Sequence, residues 1–383
     1  MELRNKTIII ISQEEWGEMF MSKHHYAIEL GKRGNKVFFI NYPDRDHKLK
    51  RGEIKISPTN YKNVQVVQHR LFFPYFFKYD YTWLYNFLVR FQIARILKKM
   101  GARPHLVWSF DLSNAMPLKE FSKKYTKIFM PVDEPFHAYS IEAAKGADIV
   151  FSVTNEILKK YSQFNVPKHF INHGVAEYFI SNNSNRPVNT PIRIGYSGGL
   201  LRPEIDWETF LVIIKENKDK IFEFWGEYDY DAAFISKPKY KNEIISNYIK
   251  ILKGLPNVKL HGVLNSARLF DAIKEVDVLI ICYDIKKDQS HGTNYHKILE
   301  YLGTGNVVIS NNVSTYLENY PGMIEMIESR EDNHALPALF STVTNNLNSY
   351  NSREKRESRI NFAKSFVYSN QLTKIEGFLK DFQ

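Results

Sequence analysis

Short apolar runs rich in Val, Ile and Phe alternate with helix-like segments along most of this 383-residue chain. Residues 8–11 form the first run. A loop to Ser22, a helix-like segment from Lys23 to Arg33, a stop at Gly34 and a second run at 37–40 follow. The pattern continues at 64–67, 106–108, 128–130, 149–153 and 169–171. Such alternation predicts parallel sheets covered by helices on both faces. A second series begins at 192–196 and continues at 222–224, 258–260, 278–281 and 307–309. Between the series, residues 181–191 are polar and turn-rich and read as an interdomain linker. A chain of this length divides naturally between two cores. The expected domains are therefore 1–180 and 192–360, with ligands at the carboxyl ends of the strands. After Asn333 the chain reads as mostly helical.

Composition narrows the partners. The apolar fraction of 44% and charged fraction of 25% fit a globular protein. The single cysteine, Cys282, lies in an apolar run and cannot form an internal disulfide. The polar start leads into only four apolar residues, too few for a signal-peptide core. No segment approaches membrane-spanning length, so the protein is expected to be cytoplasmic. The net charge of +10 points to nucleic acid, an anionic membrane surface or phosphate-bearing substrates. No helix-turn-helix, zinc-ligand cluster or RNA-binding aromatic signature is present, so nucleic acid is not an expected partner.

The chemistry concentrates in residues 293–310, TNYHKILEYLGTGNVVIS. This reads as a helix start, a short amphipathic helix, a glycine stop and a buried strand. Lys297 and Glu300, three apart, share one helical face near its N-terminus. A helix N-terminus with a lysine suits a phosphate, and a carboxylate one turn deeper can accept hydrogen bonds from two ribose hydroxyls. Together they describe a nucleotide-diphosphate site; an isolated Lys-x-x-Glu would be only a surface ion pair. The string resembles the donor-site helix of GT-B glycosyltransferases, N-P-L-K-hydrophobic-x-E-Y-L-A-x-G-x-P-V-V. Asn294, Lys297, Glu300, Tyr301, Leu302, Gly305 and Val308 fall on that pattern. Val307 stands in place of the proline and Ile309 in place of the last valine.

The resemblance is to family-four-type bacterial glycan glycosyltransferases. It implies a GT-B α/β fold, two Rossmann-like domains facing across a cleft, with residues 361–383 as a terminal helix packing back on the N-terminal domain. It also implies transfer of a hexosyl group from a nucleotide-diphosphate sugar, without a resident metal or cofactor, to a glycan or lipid-linked acceptor. Gly198 and Gly199 after the strand ending at Tyr196, with Arg202 beyond, match the family's diphosphate turn. Gly226 matches the next strand-then-glycine turn. Gly262 and Val263 match the turn that passes the base, and Asn172-His173-Gly174-Val175 marks the end of the first domain. One departure stands out. Retaining relatives carry a second glutamate eight positions before the ribose-binding one, and here that position is Gly292.

On the acceptor side, the loop 12–22, containing Gly17, precedes a helix opened by Lys23-His24-His25. Its placement makes Gly17 a candidate substrate-binding residue and His24 a candidate catalytic one. Asp133, in a Pro-bounded loop after a strand, is the first candidate for the general base of an inverting transfer, and Asp111 the second. Both could equally cap helices. Residues 72–91 hold eleven aromatics flanked by Arg70, Arg95, Lys98 and Lys99. They read either as an interfacial membrane surface or as a tyrosine-rich core. Two rival functions are a sugar-nucleotide epimerase of the same architecture and an inactive nucleotide-binding partner. A dinucleotide oxidoreductase is disfavoured, since no Gly-x-Gly-x-x-Gly follows residue 11 or Tyr196.

Overall fold

The computed structural model describes residues 1–17, 20–231 and 241–380. The chain divides into two units, residues 1–173 with 368–383, and 174–367. Unit 1 holds β1 (Thr7–Ile11), β2 (Lys36–Ile40), β3 (Ile54–Pro58), β4 (Val64–His69), β5 (Leu106–Ser109), β6 (Thr126–Phe129), β7 (Ile149–Ser152) and β8 (Lys168–Phe170). Their order in the sheet is β3-β4-β2-β1-β5-β6-β7-β8. Ile8 to Ile11, Val37 to Ile40 and the inner residues of β5 to β7 are buried, as strands covered on both faces must be. All pairings are parallel except β3 with β4. The sequence reading missed β3 and the two-residue β14 at Glu325–Met326. The first is a half-exposed edge strand, IKISP, without a continuous apolar run.

Unit 2 holds β9 (Arg193–Ser197), β10 (Ile221–Trp225), β11 (Val258–Gly262), β12 (Val278–Ile281), β13 (Val307–Ser310) and the two-residue β14 (Glu325–Met326). The order is β11-β10-β9-β12-β13-β14, parallel throughout. In both sheets the strand order reverses beside the first strand, between β1 and β5 and between β9 and β12. The carboxyl ends of strands at such a reversal splay their following loops apart, which opens a crevice for ligands. Each unit has its own apolar core.

The chain passes between the units at 173/174 and at 367/368, not at the polar segment 181–191. That segment is strapped to unit 2. Ser181 donates to the Gly303 carbonyl (2.8 Å). Arg186 and Asn189 donate to the fully buried Asp277 carboxylate (2.7 and 2.9 Å). Polar, turn-rich composition cannot distinguish a linker from a strap whose side chains satisfy a buried charge.

The chain end divides likewise. The helix Arg353–Lys364 stays in unit 2, where Phe362 and Phe366 meet the ring of Tyr320 (5.0 and 5.6 Å). The final helix, Tyr368–Lys380, belongs to unit 1. There Leu372, Ile375 and Leu379 are buried, each worth about 1.5–3 kcal/mol. Arg33 donates to the Ser369 carbonyl (2.6 Å) and Thr373 hydroxyl (2.8 Å), and the N-terminal amine to the Leu379 carbonyl (2.7 Å).

Candidate functional site

Three glycine turns are stitched together at the carboxyl ends of β9, β10 and β11. The Gly198 N–H donates to the Trp225 carbonyl, and the Gly226 N–H to the Gly262 carbonyl, both at 2.8 Å. Gly198 and Gly226 adopt φ of +140° and +153°, which L side chains rarely reach. A Cβ on Gly226 would lie 2.0 Å from the Gly198 carbonyl oxygen and 3.0 Å from the Gly199 nitrogen. One on Gly198 would lie 2.8 Å from Lys297 Nζ. The turns at Gly198 and Gly226 therefore require glycine sterically. Gly226→Ala is expected to destabilise the protein by about 3 kcal/mol or more in urea denaturation. Gly254→Ala, with nothing within 4 Å of the added methyl, should change it little.

Lys297 lies beneath this platform. It is the first residue of the helix Lys297–Gly303 and is buried. Its ammonium donates to the Ser197 carbonyl (2.7 Å) and the Tyr283 hydroxyl (2.6 Å), and stands over the Tyr196 ring (4.5 Å). With only seven residues, the helix supplies this lysine as a fixed point charge rather than as part of a long dipole. Arg202 approaches the other tyrosine of the cluster, its guanidinium 5.5 Å from the Tyr283 centroid. The Tyr196 and Tyr283 hydroxyls are 3.1 Å apart. Burial pushes the Tyr283 phenol up. The charges of Lys297 and Arg202, with hydrogen bonds from Lys297 and Tyr196, outweigh that and hold it below its usual range. Tyr196, buried beside it and lacking that balance, is pushed well above.

Glu300 sits one turn along, half-buried, with no side-chain hydrogen bond among the described residues. Desolvation raises its carboxyl to about 7, against the opposing pull of Lys297. A partly desolvated carboxylate without donors has its acceptor oxygens open to hydroxyls of a ligand. Asn294 is buried in the loop just before the helix. That loop is folded around Asp288, whose carboxylate accepts from Ser290, the Gly292 N–H and the Tyr295 hydroxyl (2.7–3.1 Å). Asp288 is thus committed to structure. Gly292 has φ +65°, and a Cβ there would lie 2.9 Å from the Asn312 carbonyl. A side chain at the position where retaining relatives carry the glutamate would therefore strain this loop.

At β11, Gly262 has φ +74° and Val263 is exposed. The preceding His261 is stacked flat on Trp225 (5.0 Å, 9°) and held by Glu223 (2.8 Å). Tyr301 braces the first turn, its hydroxyl accepting from the Ser197 N–H at 2.7 Å. Sequence reasoning passed over Tyr196 and Tyr283. The available signal was a tyrosine at the end of each of two strands, but their adjacency depends on β9 pairing with β12.

In unit 1, Lys23 is buried and ion-paired with Glu14, in the loop after β1. His24 is not available for catalysis. It is completely buried, stacked between Phe39 (4.8 Å) and Phe20 (5.4 Å). Its Nδ1 accepts from the Met21 N–H (3.1 Å), which leaves Nε2 to donate to the Glu15 carbonyl (3.2 Å). Burial pushes its imidazole down to about 4 against the pull of that carbonyl, so it stays neutral. It braces the loop. Gly17 is in open space without a left-handed backbone, so nothing there demands glycine; the next residues, Glu18 and Met19, lie outside the described residues.

Asp111 is also structural, accepting from the backbone of Ser113 (2.8 Å) and Ala115 (2.7 Å). Asp133 differs. It is exposed after β6, yet desolvation raises its carboxyl, with Glu14 adding to the rise and Lys23 opposing it. Asp133, Glu14 and Lys23 thus interact as one charged cluster. Among the described residues no three His, Cys, Asp or Glu side chains gather as a metal site requires.

Neither a family model nor a curated protein sequence matches this chain. Solved structures do. The Anabaena protein Alr3699/HepE, in complex with UDP and glucose, superposes with a TM-score of 0.67 at 12% identity, over 98% of this chain and 99% of that one. Sucrose-phosphate synthase from Thermosynechococcus elongatus gives 0.70 at 10% identity, with 98% of each chain covered. The lipopolysaccharide outer core galactosyltransferase WaaB gives 0.62 at 13% identity, over 98% and 99%. The chain has the GT-B fold. At these identities the likeness establishes architecture, and the chemistry of this GT-B chain rests on its own residues.

Proposed function

We propose that this protein is a glycosyltransferase that moves a hexosyl group from a nucleotide-diphosphate sugar to a glycan or lipid-linked acceptor. The observation that carries the reading is the Lys297–Tyr283–Arg202 cluster under a glycine platform, with the partly desolvated Glu300 one turn away. Glu300 takes the ribose hydroxyls. The glycine turns let the backbone approach the diphosphate, and Lys297 and Arg202 offset the charge that grows on it as the glycosidic bond breaks. Cationic side chains then do the work for which a divalent ion is used elsewhere. Asp133 takes the proton of the attacking hydroxyl in an inverting transfer. Support comes from Gly292, where the acid of retaining relatives would strain the loop. Further support comes from the fold, shared with HepE, whose structure holds UDP and glucose.

A thermal-shift screen of nucleoside diphosphates, followed by turnover of the matching sugar donor with and without acceptor, tests the reading. Turnover that needs no acceptor would make the protein an epimerase, and binding without turnover an inactive partner. Lys297→Ala and Arg202→Ala are each expected to lower turnover about a hundred- to a thousand-fold, the usual cost of losing one group that stabilises transition-state charge. A well-folded variant with normal turnover would remove that residue from the mechanism.

A further inference from the structure

The net positive charge of this protein lies in one unit. Unit 1 carries 29 Lys and Arg against 18 Asp and Glu, a net +11, whereas unit 2 carries 23 against 24. Within unit 1 no acidic residue occurs between Asp80 and Asp111, and the helix Thr82–Met100 lies in that interval. This helix is apolar on two faces. Tyr85, Val89, Ile93, Ile96 and Met100 face inward and are buried in the core of unit 1. The opposite stripe, at i, i+4, i+7, i+8, i+11 and i+15, is Trp83, Phe87, Arg90, Phe91, Ala94 and Lys98, and all six are exposed. Trp83 is 73% exposed, and Phe87 and Phe91 touch edge to face at 5.1 Å. The turn leading into the helix exposes Phe76, Tyr79 and Tyr81 as well. The sequence left open whether these aromatics are core or surface. The structure divides the eleven, with Phe73 and Tyr85 inside, Phe72, Tyr75 and Phe77 half-buried and the other six outside.

We propose that the outward face of the helix Thr82–Met100 docks this protein on an anionic lipid surface. Aromatic rings suit the headgroup layer, where one edge meets acyl chains and the other meets water. Lys98 and Lys99, at the end of the stripe, supply cations for lipid phosphates, while Arg90 is already engaged by Glu120 (2.8 Å). A second copy of the chain is a poor occupant of this face, because it would bring one unit of net +11 against another. A neutral apolar partner would leave the charge asymmetry without a role. No helix among the described residues is long and apolar enough to cross a membrane, so the contact is one of lying on the surface. The inference does not depend on the donor site or on turnover.

The test uses the full chain and sedimentation with vesicles of phosphatidylcholine, alone or mixed with phosphatidylglycerol. Binding to the mixed vesicles is expected, weakened by salt, with a blue shift of tryptophan fluorescence that Trp83→Phe removes. The triple variant W83A/F87A/F91A should lower the partition coefficient by at least about tenfold. K98E/K99E should lower it on mixed vesicles by about fivefold for each lysine charge lost. These side chains are exposed, so both variants should keep the wild-type melting temperature. Absence of binding to either vesicle, equal binding to both, or an unaffected triple variant would overturn the proposal. So would a wild-type dimer in sedimentation velocity that the triple variant converts to monomer, which would make the face a self-contact.

Discussion

An Asp133→Asn enzyme is expected to lose about a hundred- to ten-thousand-fold in turnover while binding the donor nucleotide as tightly as wild type. Asparagine keeps the size of the side chain and most of its hydrogen bonding but cannot accept a proton. The rival groups are already engaged. Asp111 is consumed by backbone donors, Glu134 is paired with Lys160, and His24 is sealed in an aromatic sandwich. Asp133 remains exposed, and its raised carboxyl pKa makes it a stronger base than an ordinary aspartate. Proton NMR of the product is a second reading of the same idea, with inversion at the anomeric carbon expected. Retention of configuration, or a near-normal rate in Asp133→Asn, would reject the assignment and leave the donor site standing.

Replacing Glu300 by Gln should strengthen the empty protein and cripple its binding of nucleotide. Burial raises the Glu300 carboxyl from 4.5 to about 7. Between those values the folded protein holds a proton that the unfolded chain has lost. Stability contributed at this residue therefore falls as pH rises through that window and stays low above it. Ligand-free Glu300→Gln should melt above wild type near pH 8 and level with it below about pH 4.5. Nucleotide binding has the opposite sign, because the ionised carboxylate is the form that accepts two ribose hydroxyls. Wild-type affinity should drop by up to about tenfold per pH unit below 7, and the variant should be weak and flat with pH. A nucleoside diphosphate at about a hundred times its dissociation constant should stabilise wild type by roughly 2.7 kcal/mol, and Glu300→Gln or Glu300→Ala by much less. Equal nucleotide binding by wild type and variant would show that the ribose lies elsewhere.

Both predictions start from residues that the sequence singled out, but their environments belong to the folded chain. Periodicity was enough for the central parallel strands, because a strand buried on both faces reads as a continuous apolar run; it gave no sign of the two-residue β14. It failed for β3 at the sheet edge, where one side faces water and the run is broken. Motif spacing singled out Lys297, Glu300 and the glycines after β9 and β10, because each is a local demand on a helix turn or a backbone angle. Composition misjudged residues 181–191. A strap and a linker use the same polar residues, and only the buried Asp277 separates them.

The sequence by itself determined two α/β units, a lysine and a glutamate one helical turn apart, and glycines where strands end. These follow from local periodicity and backbone sterics, which act over a few residues. Tertiary structure alone decided that Tyr196 and Tyr283 clasp Lys297 and that a side chain at Gly292 would strain its loop. It also decided that His24 is a brace and that the face of Trp83, Phe87 and Phe91 looks outward. Each of those depends on strand order or on which face of an element meets its neighbour. Such contacts join residues far apart in sequence, as Lys297 to Ser197 does, and no local pattern carries them.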